Sequence, residues 1–236
     1  MYSSELVIVT GASRGIGRAI ANKFASEHKD VMLFGRDEEA LETVYHEVRR
    51  FKVESEFFAG DVADEEFVNR SVKQILDKYG KVDHLINNAG MGIFKRFVDS
   101  ELKDFKQQID TNLYGIYNFT KAVVNSMISK RSGSIINISS LAGKNSFVTG
   151  TMYSAAKHAV MGFTKSLMLE LREYNIRVAV VCPGSVDTEF FNTTDIKPKL
   201  EKILKPSDIA EIVSSIVKLP PNALMSEVDV RPTNPN

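Results

Sequence analysis

The chain has 236 residues, 43% hydrophobic and 25% charged, which suits one globular domain with a full core. Lys plus Arg equals Asp plus Glu at 30 each, with the basic residues scattered, so a nucleic-acid partner is not expected. A lone cysteine, Cys182, excludes an internal disulfide, no Cys/His cluster has metal spacing, and no apolar run nears the ~18 residues that span a bilayer; the expectation is a cytoplasmic protein without metal or membrane.

Short apolar runs at 6–9, 31–34, 56–59, 82–86, 134–138, 178–182 and 227–230 read as strands buried on both faces. Between them the spacing is helical. Ile16, Ile20 and Phe24 share a face, as do Leu41, Val44 and Val48, and then Phe67, Val72, Ile75 and Leu76. Two longer helical stretches cover 102–130 and 151–174. This alternation predicts an α/β fold with a parallel sheet and helices on both faces. No linker or repeat divides the chain, so 1–236 reads as one domain. Its least regular part, 188–205, reads either as a polar connector or as a flap over a pocket.

After the first strand comes Thr10-Gly-Ala-Ser-Arg-Gly-Ile-Gly17, opening a helix. Gly11 can turn sharply, Gly15 lets backbone approach a ligand, and Gly17 lets helix pack on strand. The first-turn N–H groups and the positive end of the helix dipole then face an anion, with Ser13, Arg14 and Ile16 in the same loop. The spacing is GxxxGxG. It resembles the glycine motif of the short-chain dehydrogenase/reductase family in its single-domain form. That resemblance runs from Glu5 to about Pro232 and is densest up to Thr188. It implies a Rossmann-type, doubly wound fold: a mostly parallel sheet of seven strands in a three-layer αβα sandwich. The first two thirds are similar to 3-oxoacyl-carrier-protein reductases, and the end, Glu227 to Thr233, to NADP-dependent carbonyl reductases.

The second strand ends Leu33-Phe34-Gly35-Arg36. In a dinucleotide fold this end lies beside the adenosine ribose, where an acid would repel a 2′-phosphate. Arg36, with Arg14 nearby, can instead pair with that phosphate, so NADP (NADPH) is the expected cofactor. Asp37 reads as a helix cap. By resemblance Asp61 and Val62 take the adenine, and the turn Asn87-Asn88-Ala89-Gly90 lies against the adenine-ribose side and the sheet centre.

Tyr153-Ser-Ala-Ala-Lys157 sets a phenol and an ammonium at i and i+4, on one helix face. A nearby cation favours phenolate and so should lower the tyrosine pKa, making an acid/base pair. Ser140 precedes the tyrosine by thirteen residues. The resemblance gives Ser140 the substrate oxygen, Asn112 a water that feeds protons through Lys157, and Lys157 also the nicotinamide ribose. It gives the turn Pro183-Gly184-Ser-Val186-Asp-Thr188 the nicotinamide end. Phe94, Leu141, Phe147, Val148, Phe190 and Phe191 should stand near the substrate. The expected activity is reversible, NADPH-dependent reduction of a ketone or 3-oxo group, free or as an acyl thioester. The family relation implies a homodimer or homotetramer paired through the two long helical stretches. The alternative is an idle NADP-binding sensor or scaffold. A sugar-nucleotide epimerase would carry GxxGxxG and a longer C-terminal domain.

Overall fold

A computed structural model describes residues 4–190 and 202–234. Seven strands form one sheet: β1 (Leu6–Thr10), β2 (Asp30–Gly35), β3 (Ser55–Ala59), β4 (His84–Asn87), β5 (Gly133–Ile138), β6 (Ile176–Pro183) and β7 (Glu227–Val230). Their order is β3-β2-β1-β4-β5-β6-β7 and every pairing is parallel. The central runs β1, β2 and β4 are buried from end to end because both faces are covered. Side chains alternate along each strand, so Val7, Val9, Val31 and Leu33 enter one core, and Leu6, Ile8, Met32 and Phe34 the other.

Seven α-helices among the described residues complete the layers. α1 (Gly15–Ser26), α2 (Glu38–Arg49) and α7 (Pro206–Val217) bury Ile20, Phe24, Leu41, Val44, Val48, Ile209 and Val213 on the first face. α3 (Glu65–Tyr79), α5 (Gly115–Lys130) and the end of α6 (Thr151–Leu171) cover the second with Val72, Ile75, Phe119, Val123 and Leu171. The short α4 (Leu102–Ile109) leads into α5. Each fully buried aliphatic or aromatic side chain contributes about 1.5–3 kcal/mol.

The caps follow the chemistry of the ends. Asp37 accepts from the Ala40 N–H at 3.1 Å and starts α2; Asp64 does the same for α3 from Phe67 at 3.0 Å. Gly80, at φ +73°, ends α3 in the left-handed conformation.

Three local differences separate pattern from structure. The stretch 102–130 is interrupted by a π-helical turn, Asp110–Tyr114. The strand β7 is only half buried, since it is the edge of the sheet and has one neighbour. The helix α7 was not among the elements read from periodicity. Its start is marked by Pro206 in the first turn and by Asp208, whose carboxylate accepts from the Lys205 N–H at 2.8 Å.

β1 has β2 on one side and β4 on the other, so the chain leaves these neighbouring strands in opposite directions. Such a reversal opens a crevice at the carboxyl ends of the strands.

Candidate active site

A cavity of about 1200 Å³ fills that crevice and runs across the ends of β1 to β6. At its first wall, Gly11 and Gly15 have φ of +63° and +53°, conformations that favour glycine. A Cβ on Gly17 would lie 2.1 Å from the Gly11 carbonyl oxygen. Gly17 itself does not line the cavity; it lets α1 press on the turn behind it. The N-cap Arg14 makes no side-chain cap hydrogen bond, and the first turn of α1 holds no acid. Gly11, Ser13, Gly15 and Ile16 line the space in front of that positive helix end. A Cβ on Gly15 would meet the Thr188 methyl at 3.0 Å, so the turn after β6 stands directly across from the cradle.

The shape of the cradle is held from β4. The Thr10 hydroxyl accepts the backbone N–H groups of Asn88 and Ala89, both at 2.9 Å. The Asn88 amide donates to the carbonyls of Thr10 at 2.9 Å and Gly11 at 3.2 Å. Its hydrogens are therefore engaged within the protein, and Asn88 both braces the loop and lines the cavity.

Arg14, Arg36, Asp61 and Val62 line the cavity farther along. Both arginines are exposed and, among the described residues, neither has an ion-pair partner. The Val62 carbonyl accepts from Asn118 on α5 at 3.0 Å, which fixes this turn. Asn118 was not legible as a site residue because nothing in its local sequence marks a long-range bond.

At the other end, Tyr153 and Lys157 lie on the inward face of α6, with Ser140 at the end of β5. The Ser140 hydroxyl accepts from the Ala142 N–H at 3.1 Å and draws the phenol's pKa down. Ser139, the neighbouring candidate, is turned away and donates to the Lys157 carbonyl at 3.2 Å. The Lys157 ammonium donates to the Ile138 carbonyl at 3.1 Å and sits 5.8 Å from the Tyr153 ring centroid.

Burial governs both titrations. It pushes the Tyr153 phenol up to about 12, against the pull of Ser140, and Lys157 down to about 8. The expected lowering of Tyr153 by its cation is thus absent from the protein alone. The ammonium is directed at the Ile138 carbonyl, and desolvation of the phenol outweighs the rest.

Asn112 sits in the π-helical turn, fully buried, and faces the cavity wall near Gly90. Its amide donates to the carbonyls of Met91 and Gln108, both at 2.9 Å, and its oxygen accepts from the Met91 N–H at 3.3 Å. A π turn inside a helix often accompanies a functional site. Phe94, Phe147 and Phe190 close around Tyr153, while Val148 is 80% exposed. Pro183, Gly184, Val186 and Thr188 complete the wall between the cradle and the phenol. Phe191 and most of 188–205 lie outside the described residues. The two sides of that segment are joined where Asp187 donates to Leu204 at 2.8 Å and Leu204 to Ser185 at 3.0 Å.

A dinucleotide-type cradle continuous with a serine, tyrosine and lysine pocket defines an oxidoreductase class of site. A family profile described as short chain dehydrogenase matches residues 5–199, and the chain belongs to that family. It is 36% identical to an uncharacterised oxidoreductase of Staphylococcus saprophyticus over 97% of both chains. It is 34% identical to a putative ketoacyl reductase of Streptomyces coelicolor, over 91% of this chain and 90% of that protein. Among solved structures, an alcohol dehydrogenase from Thermococcus sibiricus complexed with 5-hydroxy-NADP superposes with a TM-score of 0.90 at 31% identity, covering 98% and 97% of the two chains.

Proposed function

We propose that this protein is an NADPH-dependent carbonyl reductase of the cytoplasm, acting on a ketone or 3-oxo group and reversibly on the matching alcohol. The observation that carries the reading is one continuous cavity with the glycine cradle at one end and Tyr153, Ser140 and Lys157 at the other.

The cradle fits a dinucleotide diphosphate. A Cβ at Gly11 would fall 2.9 Å from the Ala89 backbone, and one at Gly15 3.0 Å from Thr188, so backbone alone can occupy these positions beside a ligand. Arg14 and Arg36, with no ion-pair partner among the described residues, suit the 2′-phosphate of NADP. Asp61 and Val62 would meet the adenine, Ala89 and Gly90 the neighbouring ribose. Pro183, Gly184, Val186 and Thr188 would hold the nicotinamide end, and Lys157 its ribose. Bound NADPH would supply the hydride.

Ser140 donates a hydrogen bond to the substrate oxygen as negative charge grows on it. Tyr153 gives that oxygen its proton, and a phenol pushed up to about 12 is fully protonated for the purpose at neutral pH. Lys157, held by the Ile138 carbonyl, stands behind the phenol as the cation that offsets the phenolate left there. Asn112 fixes the Met91 loop and supports a water-borne proton path to Lys157.

A homodimer or homotetramer would pair through α5 and α6. Ala155 and Gly162 are exposed on α6, and Tyr114 and Tyr117 on the α5 side.

The test combines fluorescence titration with a carbonyl panel. NADPH should bind more tightly than NADH, and at least one ketone or 3-oxo compound should consume it. Equal affinities would reject the role of Arg14 and Arg36, and a panel with no turnover would reject the reductase reading.

A further inference from the structure

The carbonyl must be carried on some molecular body, and the walls around Tyr153 restrict what that body can be. We propose that the site selects ketones borne on a flat, uncharged, ring-sized group, through the Phe94 ring, which Gln108 holds in place from α4. The proposal rests on the reductase reading above.

Phe94 is the hub of an aromatic box. Its ring centroid lies 5.2 Å from Tyr153 at 81°, 5.3 Å from Phe147 at 82° and 6.0 Å from Phe190 at 60°. Tyr153 and Phe190 are 5.9 Å apart. Edge-to-face rings at these spacings attract one another and offer the same geometry to a further ring. A carboxylate or sugar hydroxyl against them would lose water without gaining a hydrogen bond. The box depends on two glycines: a Cβ at Gly92 would fall 2.5 Å from the Phe190 ring, and one at Gly150 2.5 Å from the Phe147 ring.

The segment that bears Phe94 is pinned by two buried amides one helical turn apart. The Gln108 side chain accepts from the Ile93 N–H at 3.2 Å and donates to the Ile93 carbonyl at 3.3 Å. Asn112 makes the same two-way contact with Met91. Together they act as a substitute strand, pairing alternate residues 91 and 93. Residues 92 and 94 fall at the intervening positions, and it is they that meet the box rings. The opposite rim is tied in as well: the Lys95 N–H donates to the Thr149 carbonyl at 3.2 Å. Thr149 has φ +73°, strained for a β-branched residue, in the loop that carries Phe147. Gln108 touches neither rings nor reacting atoms, so its part is positioning.

The experiment compares kcat/KM for aryl ketones, linear ketones of equal carbon number, 3-oxo acids and 3-oxoacyl thioesters. The enzymes are the native protein, Phe94→Ala and Gln108→Leu, all with NADPH. Aryl ketones should lead the linear ones by about tenfold or more, and Phe94→Ala should abolish that lead, chiefly through KM. Gln108→Leu should raise KM for aryl ketones while kcat for the linear ketones stays within about threefold. Should Gln108→Leu not fold, Gln108→Glu, which keeps the acceptor and loses the donor, replaces it. Calorimetric titration of an aryl ketone into Tyr153→Phe with NADP reads selection without turnover, and Phe94→Ala in that background should weaken binding about tenfold. Preference for linear or charged substrates, or an equal loss on all substrates in Phe94→Ala, overturns the proposal and leaves the reductase reading standing. Loss of all turnover with ring-selective binding retained would sink the reductase reading instead.

Discussion

At the scale of one residue, the role proposed for Lys157 and the stability of the fold oppose each other. Lys157 is 4% exposed, and burial holds its ammonium down to about 8 from an ordinary 10.5. The unfolded chain therefore binds more protons between these values, so stability from this group is gained as pH rises through about 8 to 10.5 and is missing at pH 7. Lys157→Met should stabilise the fold at pH 7 by about 2 kcal/mol while abolishing turnover, read by urea denaturation and by NADPH consumption. In the native enzyme, reduction should hold steady to about pH 8 and decline above it as the cation is lost. Oxidation of the alcohol should rise with pH, because it needs the phenolate of a group pushed up to about 12. The Tyr153/Lys157 pair was legible from its i, i+4 spacing, whereas the direction of the tyrosine shift was not. Spacing records proximity; the cost of burying a phenol depends on everything packed around it.

Among the elements, β4 carries a different burden. His84 is 5% exposed between β1 and β5, stacked on Phe24 at 6.5 Å, and among the described residues neither ring nitrogen has a hydrogen-bond partner. Desolvation, aided by Lys29, Arg177 and Lys130 and resisted by Asp83, holds it neutral, down to about 3. The unfolded chain binds the proton from about 6.5 downward, so stability falls as pH drops from there toward 3. Between pH 7 and pH 5 the loss should be about 2 kcal/mol, reduced to the extent that Glu5, 3.6 Å away and half exposed, turns toward the ring. His84→Phe should flatten that slope in denaturation curves taken at both pH values. Each of the seven runs read from the sequence falls on a strand, because burial of both faces leaves the central strands few polar positions. The π turn at Asp110–Tyr114 and the helix α7 were not legible. A π turn adds a single residue to a helical turn, too small a break in the 3.6-residue period to read from the pattern, and α7 follows an irregular segment. Gln108 and Asn118 escaped notice for a related reason: each binds backbone far away in sequence, Ile93 or Val62, and an isolated polar residue in a helix reads as solvated.

For the whole molecule, the glycine cradle and the reacting end are legible in sequence because their residues follow the ends of successive strands, which one parallel sheet aligns along one crevice. The aromatic box was legible only as a set of nearby phenylalanines; its geometry depends on loops from three parts of the chain. No helix among the described residues is long and apolar enough to cross a membrane. The exposed Phe97, Val98 and Leu102 by α4, with Tyr114 and Tyr117, leave apolar surface for self-association. Light scattering should give the mass of two or four chains, and a monomer at micromolar concentration would contradict pairing through α5 and α6. The central claim, that one cavity brings a hydride carrier to a carbonyl whose proton comes from Tyr153, is tested most directly by Tyr153→Phe. That variant should bind NADPH with unchanged affinity and lose about 10²-fold or more in carbonyl reduction. Turnover within a few-fold of the native rate would contradict the account.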